Sequence, residues 1–530
     1  MREIRLERAA SPEEAGICSA KLAELFRDFE KNDIKYHSFM VIKGDKVAFE
    51  SYTYPYSADT PHAMYSASKS VTSTAIGFAV DEGLLSLDTL VADVFPEYAP
   101  KKPDERLGKL KVRHLLSMTS GKNPSLFGDR TGDWAEYFLR APWYADPGAK
   151  FRYINENIYM LCAILVKVTG MSVTEYLESR LWQPLGIKTP VWERDPNGIE
   201  AGGWGLYLTP EDFAKLTLCY KDGGVLGGRQ VIPKWWVEQA TSRQADNSFN
   251  KGYDSNYGYG YCFWMNAMEG SFRMDGMFGQ FGMVFPGHDA CIVITAGHPE
   301  GAGSMRKCLW KYFPDAFDAV APCENQTAQT LAKYARPEPK LLPCSARPQT
   351  EKDIDGKIIR FSTPKALTLA NIPLSILPMP IVFLSKDRGG NINNIRLDFE
   401  DTGLNFSWTE GSRAYSVKCG LNGEYISQKR NIAGQDFTLL GMAAWTDDNT
   451  LEIWIKPLEA VALRILRLTF KGRRIRMRPA SVPAMKELFC DMAESGLADM
   501  FDNKVILSIA KFAVKRAYKI FEPKLKGKFL

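Results

Sequence analysis

The chain has 530 residues, 45% hydrophobic and 24% charged, which is the composition of a globular protein with length for two or three domains. A formal net charge of +5 is too small at this length to signal nucleic acid. No run approaches the roughly 18 apolar residues of a membrane span.

Ten scattered cysteines form no C-x-x-C pair, which argues against a zinc site or a disulfide framework and for a reducing compartment. The five histidines lie far apart, so no metal cluster is expected, and no cofactor motif is present. The opening Met1-Arg2-Glu3-Ile4-Arg5-Leu6-Glu7-Arg8 has charges where a signal peptide needs an apolar core, and the expected location is cytoplasmic.

In chain order, Ser11-Pro12-Glu13-Glu14 reads as a helix opening. Ser38–Ile42 and Lys46–Glu50 flank Gly44-Asp45 as a β-hairpin. A helix of small residues then runs from Met64 to Val80. Ser66 stands at its first turn with Lys69 three residues on, so a hydroxyl and an amine share one face. A serine attacks only when a neighbour takes its proton, and a lysine does so only when its pKa is pulled down. Ser-x-x-Lys occurs five times, at Ser66, Ser248, Ser304, Ser362 and Ser508, so the pattern alone decides nothing.

Residues 84–200 read as mostly helical with long loops. Val112–Gly121 contains a short helix, and His114 in it reads as a packing or capping residue in preference to a base. Of 22 tyrosines, only Tyr153 begins Tyr-x-Asn, on a loop just before a long apolar helix. Its phenol can relay protons, and Asn155 can orient a lysine and a carbonyl; a capping loop is the plainer alternative. Thr209-Pro210 and Pro233-Lys234 open further helices. Strands are predicted at Ser271–Met274, Gln280–Phe285 and Ala290–Thr295. The glycines of Gly276-Met277-Phe278-Gly279-Gln280 either bare N–H donors for an oxyanion or mark a bulge.

Together these stretches resemble the penicillin-recognising serine hydrolases: class C β-lactamases, serine D,D-peptidases, family VIII esterases and amide hydrolases of the 6-aminohexanoate-dimer type. Ser66-Ala67-Ser68-Lys69 resembles the first motif and Tyr153-Ile154-Asn155 the second. Leu115-Leu116-Ser117-Met118-Thr119-Ser120-Gly121 is similar to the Leu-Leu-x-His-Thr-Ser-Gly segment of the group. The resemblance covers roughly residues 10 to 320. It implies an α+β fold of the β-lactamase/transpeptidase type, an antiparallel sheet flanked by helices with a helical subdomain.

The same resemblance implies an acyl-enzyme on Ser66, with Lys69 and Tyr153 sharing the proton work. Asn155 would hold Lys69, and the backbone N–H groups of Ser66 and Met277, beside Gly276, would form the oxyanion hole. The third motif departs from Lys-Thr-Gly: Asp275 precedes Gly276. An acid there disfavours a substrate carboxylate such as that of penicillin. A small-molecule ester or amide is the expected substrate. A true β-lactamase or D,D-peptidase, or a catalytically silent ligand binder, are the alternatives.

The hydrolase domain is expected over 1–320 and a proline-rich linker over 321–350. A separate β-rich domain is expected over 351–480, and a helical basic tail over 481–530. The tail's Lys511, Lys515, Arg516, Lys519, Lys524, Lys526 and Lys528 read as a solvated face in preference to a membrane-surface contact. Oligomeric state is not legible.

Overall fold

The computed structural model describes residues 4–98, 104–124, 132–299, 303–317, 325–338, 342, 346–362, 375–377, 392–432, 435–487, 508–509, 512 and 522–530. The chain divides into two compact units, 1–296 with 302–337, and 297–301 with 338–530.

The first unit is built on a seven-stranded sheet. Its order is Glu7–Arg8, Lys46–Tyr52, Tyr36–Lys43, Ala290–Ala296, Gln280–Phe285, Phe272–Gly276 and Trp264–Met265, antiparallel except for the Glu7–Arg8 edge. Alternate side chains of a strand point to opposite faces. Phe39 and Val41 therefore pack in one core with Phe26, Phe29 and Met305, from the helices Ser19–Lys31 and Gly303–Tyr312. Met40 and Ile42 pack on the other side with Val71, Ala75 and Phe213, from the helices Ser68–Asp81 and Pro210–Lys221.

Several local expectations differ. Ser11–Glu14 forms a turn, closed by bonds from Ala15, Gly16 and Ile17 back to Pro12 and Glu13, and Gly16 at φ +78° ends it. The helix starts only at Ser19. The linker range contains the helix Asn325–Ala335, which belongs to the first core: Leu331 is buried, and Tyr334 stacks on Phe26 at 5.1 Å. His114, by contrast, takes the capping role expected of it, accepting the Lys111 N–H through Nδ1 at 3.2 Å.

The second unit is a ten-stranded antiparallel sheet in the order Arg413–Gly420, Gly403–Glu410, Ile392–Phe399, Ile358–Ser362, Leu525–Phe529, Arg474–Val482, Leu463–Lys471, Thr450–Pro457, Gln435–Asp447 and Ile426–Ile432. A parallel bridge between Gly420 on the first strand and Met442 on the ninth closes it into a barrel. Leu525–Phe529 corrects the expected helical tail: these residues are a strand inserted between Ile358–Ser362 and Arg474–Val482. Lys511, Lys515, Arg516 and Lys519 lie outside the described residues. Among the described residues, no helix is long and apolar enough to cross a membrane.

Candidate active site

Ser66 lies in a one-turn 3-10 helix, Tyr65–Ala67, that runs into the α-helix Ser68–Asp81. Tyr65 adopts φ +46°, a conformation that costs a non-glycine residue about 1–3 kcal/mol. The turn is held on both sides: Met64 N–H bonds Leu206 O at 2.8 Å, and His62–Ala63 pairs with Tyr207–Leu208. The Tyr65 ring meets Phe278 edge-on at 5.2 Å.

The α-helix that follows is buried on almost every side, which explains its small residues. A Cβ on Gly77 would lie 2.4 Å from the Trp236 ring. Its hydroxyls are bonded to backbone: Ser70 to Cys262 O and Ser73 to Tyr261 O, each at 2.7 Å, and Thr72 to Gly202 O at 3.1 Å.

Lys69 is 1% exposed. Its Nζ is 2.9 Å from Ser66 Oγ, 2.7 Å from Asn155 Oδ1 and 2.7 Å from the Gly203 carbonyl oxygen. No carboxylate pairs with it among the described residues. Burial pulls its pKa down to about 7, against smaller raising effects of Cys262, Glu156 and Asp275. The Tyr153 ring lies 4.8 Å from Nζ. Burial pushes the Tyr153 pKa far up, against a smaller lowering effect of the Ser66 side chain on its phenol, so this phenol stays protonated.

The loop before the helix Asn155–Thr169 places Tyr153, and Asn155 is the first residue of that helix. It is tied to the Leu115–Gly121 segment by Arg152 N–H to Met118 O at 2.8 Å and Gly148 N–H to Thr119 O at 2.7 Å. Trp264 and Tyr259 wall the Tyr153 ring, at 5.4 and 6.1 Å.

At the third stretch, Gly276 ends the strand Phe272–Gly276, and a Cβ there would lie 2.2 Å from Met64 O. The Gly276 carbonyl accepts from Gly279 N–H at 3.2 Å. A trans peptide holds its N–H opposite its carbonyl, so the Met277 N–H points away from that turn bond. Gln280 is fully buried and clamps the loop, donating to Met277 O at 3.0 Å and Ala296 O at 2.7 Å.

Asp275 is not the free acid its sequence position suggested. Its Oδ2 accepts Arg273 Nε at 2.8 Å and lies 3.7 Å from an Arg306 nitrogen. Arg273 also binds Asp254 Oδ2 at 3.1 Å and Asn266 Oδ1 at 2.7 Å. Two buried guanidiniums balance two carboxylates, so neither a bare acid nor a bare cation faces the cleft from this cluster.

The structure thus gathers Ser66, Lys69, Tyr153 and Asn155, with Gly276 at the strand end against Met64 and Met277 opening the turn that follows. Sequence reasoning missed the Gly203 carbonyl, the Gln280 clamp and the Arg273–Asp275–Arg306 cluster. Only the glycines of Gly202-Gly203-Trp204-Gly205 hinted at the first: a Cβ on Gly203 would lie 3.2 Å from Asn155 O and Oδ1.

The β-lactamase family profile matches residues 22–312, more than half of the chain, and the chain belongs to that family. Its relatives include hydrolases. It is 27% identical over 320 residues to the 6-aminohexanoate-dimer hydrolase of Paenarthrobacter ureafaciens, covering 55% of this chain and 80% of that one. It is 28% identical over 267 residues to the acyltransferase mokF of Monascus pilosus, covering 38% and 64%. Among solved structures, it is similar to a penicillin-binding protein homologue from Caulobacter crescentus, with TM-score 0.46, 18% identity, and 56% and 99% of the two chains covered.

Proposed function

We propose that the first unit is a serine hydrolase acting through an acyl-enzyme on a small carboxylic ester or amide, with Ser66 as nucleophile and Lys69 as its base. The observation that carries this reading is the hydrogen-bond set of Lys69. A neutral amine donates two hydrogen bonds and keeps one lone pair. Asn155 Oδ1 and Gly203 O only accept, so they take the two N–H groups. The lone pair is left for the third neighbour, the Ser66 hydroxyl, which can donate its proton. A pKa near 7 makes that neutral form available at ordinary pH.

Ser66 Oγ attacks the carbonyl carbon as its proton passes to Lys69 Nζ. The N–H groups of Ser66 and Met277 receive the oxyanion. The tetrahedral intermediate then expels the leaving group, whose proton comes from Lys69 through the Tyr153 hydroxyl. A water molecule hydrolyses the acyl group by the same route in reverse. Tyr153 serves as a protonated relay and not as a phenolate base, because burial raises its pKa while lowering that of Lys69.

With Arg273 and Arg306 occupied by carboxylates, no cation of this cluster is offered to a substrate carboxylate. Uncharged esters and amides therefore fit better than penicillins. Hydrolysis of short p-nitrophenyl esters against nitrocefin tests this. Ester turnover with poor nitrocefin turnover is expected; fast nitrocefin turnover overturns the substrate reading, and no turnover of either overturns the enzyme reading. We also place the chain in a reducing compartment such as the cytoplasm, because all seven described cysteines are free thiols and six are buried.

A further inference from the structure

The barrel carries a sheet of cations that no acid among the described residues answers. Leu525–Phe529 lies between Ile358–Ser362 and Arg474–Val482, and its register sets Lys528 opposite Arg360 and Lys526 opposite Arg476. Side chains along Arg474–Val482 alternate strictly: Arg474, Arg476 and Arg478 are exposed, while Ile475, Met477 and Pro479 are buried. Arg360, Lys526 and Lys528 are exposed on the same face. None of these six has an ion-pair partner among the described residues. At the borders of the face the pattern changes: Arg467 pairs with Glu452 at 2.5 Å and Arg396 with Asp398 at 2.7 Å.

Like charges directly opposite one another destabilise a strand pair. The barrel accepts that cost at Arg360–Lys528 and Arg476–Lys526 in the middle of its sheet, and again at Arg478–Arg467 and Arg474–Lys471 on the next strand. Neighbouring strands lie about 4.8 Å apart, and same-face residues along a strand about 7 Å apart, so the cations form a two-dimensional grid. Ile358 and Val482 project from the same face at its two ends, 40% and 36% exposed. The face offers aliphatic groups and no exposed aromatic ring among the described residues, so it lacks the stacking platform of a single-strand nucleic-acid site.

We propose that this face docks the protein on an anionic lipid bilayer. Cations near such a surface each strengthen partitioning about fivefold, and the effect is screened by salt. Ile358 and Val482 would enter the headgroup layer at the edges of the grid. The contact is peripheral, and none of its residues belongs to the Ser66 site.

The test is co-sedimentation of the full chain with vesicles of phosphatidylcholine alone or mixed with phosphatidylglycerol, for wild type and for R360E/R476E. Wild type is expected to bind the mixed vesicles, to release with salt, and to ignore phosphatidylcholine. The double variant faces each new glutamate to a lysine, so its thermal midpoint should hold or rise, while vesicle binding falls by at least about tenfold. Its ester turnover in solution should be unchanged. If that variant does not fold, R478Q/K528Q gives the same reading with neutral substitutions. The proposal is overturned by wild type that does not bind the mixed vesicles or binds both kinds equally. It is likewise overturned by a folded variant that binds as wild type does, or by displacement from the vesicles by duplex DNA at equal phosphate concentration.

Discussion

Arg273 donates its Nε to Asp275 Oδ2 at 2.8 Å with no part of its side chain exposed, and this pair sits on the strand that ends at Gly276. It fixes the charge state of the third stretch of the site. Removing the guanidinium in Arg273→Ala strips buried Asp254 of its ion-pair partner and leaves Asp275 only the more distant Arg306. The expected loss is about 3–5 kcal/mol of unfolding free energy, read by urea denaturation. A loss within 1 kcal/mol, by the same principle, marks the pair as dispensable.

The pH profile follows from Lys69. Its active form is the neutral amine, so kcat/KM for a p-nitrophenyl ester should rise through about pH 7 and level off above it. Lys69→Met should lower kcat by about a hundred- to ten-thousandfold. The same group links stability to pH. Between about 7 and the ordinary 10.5 the unfolded chain holds a proton that the folded chain lacks, so stability rises with pH across that window. Lys69→Met should flatten that rise in denaturation curves taken across it.

Gly276 separates the oxyanion reading from a mere turn. A Cβ there meets the backbone oxygen of Met64, so Gly276→Ala must displace the strand end or the Ser66 turn. Loss of one oxyanion donor costs about a hundred- to a thousandfold in kcat. A fall of that size with KM little changed is expected from steady-state kinetics.

Gly203→Ala is a gentler probe. Its Cβ would press on Asn155 Oδ1 from 3.2 Å, disturbing an acceptor of Lys69 without touching substrate. The variant should fold, keep its KM, lose about tenfold in kcat, and shift the midpoint of the pH profile, since the lysine loses a fixed partner. An unshifted midpoint places Gly203 in packing alone.

The nucleophile region was legible because its logic is local. Ser66 and Lys69 are three apart, and Tyr153 and Asn155 two apart, so short spacings carried the geometry. Strands at 272–296 were legible from their apolar runs and the turn at Pro286–Asp289. What the chain order hid lies in contacts across long separations: Lys69 to Gly203, Asp275 to Arg306, and Arg273 to Asp254. A backbone carbonyl such as that of Gly203 has no signature in residue type. Leu525–Phe529 was misread for a related reason. Its period-two pattern is five residues long and becomes a strand only by pairing with Ile358–Ser362 and Arg474–Val482, both remote in sequence.

The most direct measurement is the intact mass of wild type and Ser66→Ala after treatment with a fluorophosphonate probe, which reacts with activated serines. One adduct on wild type and none on the variant is the expected result. An adduct that persists on Ser66→Ala, or a well-folded wild type that takes no adduct, contradicts the assignment of Ser66 as the nucleophile.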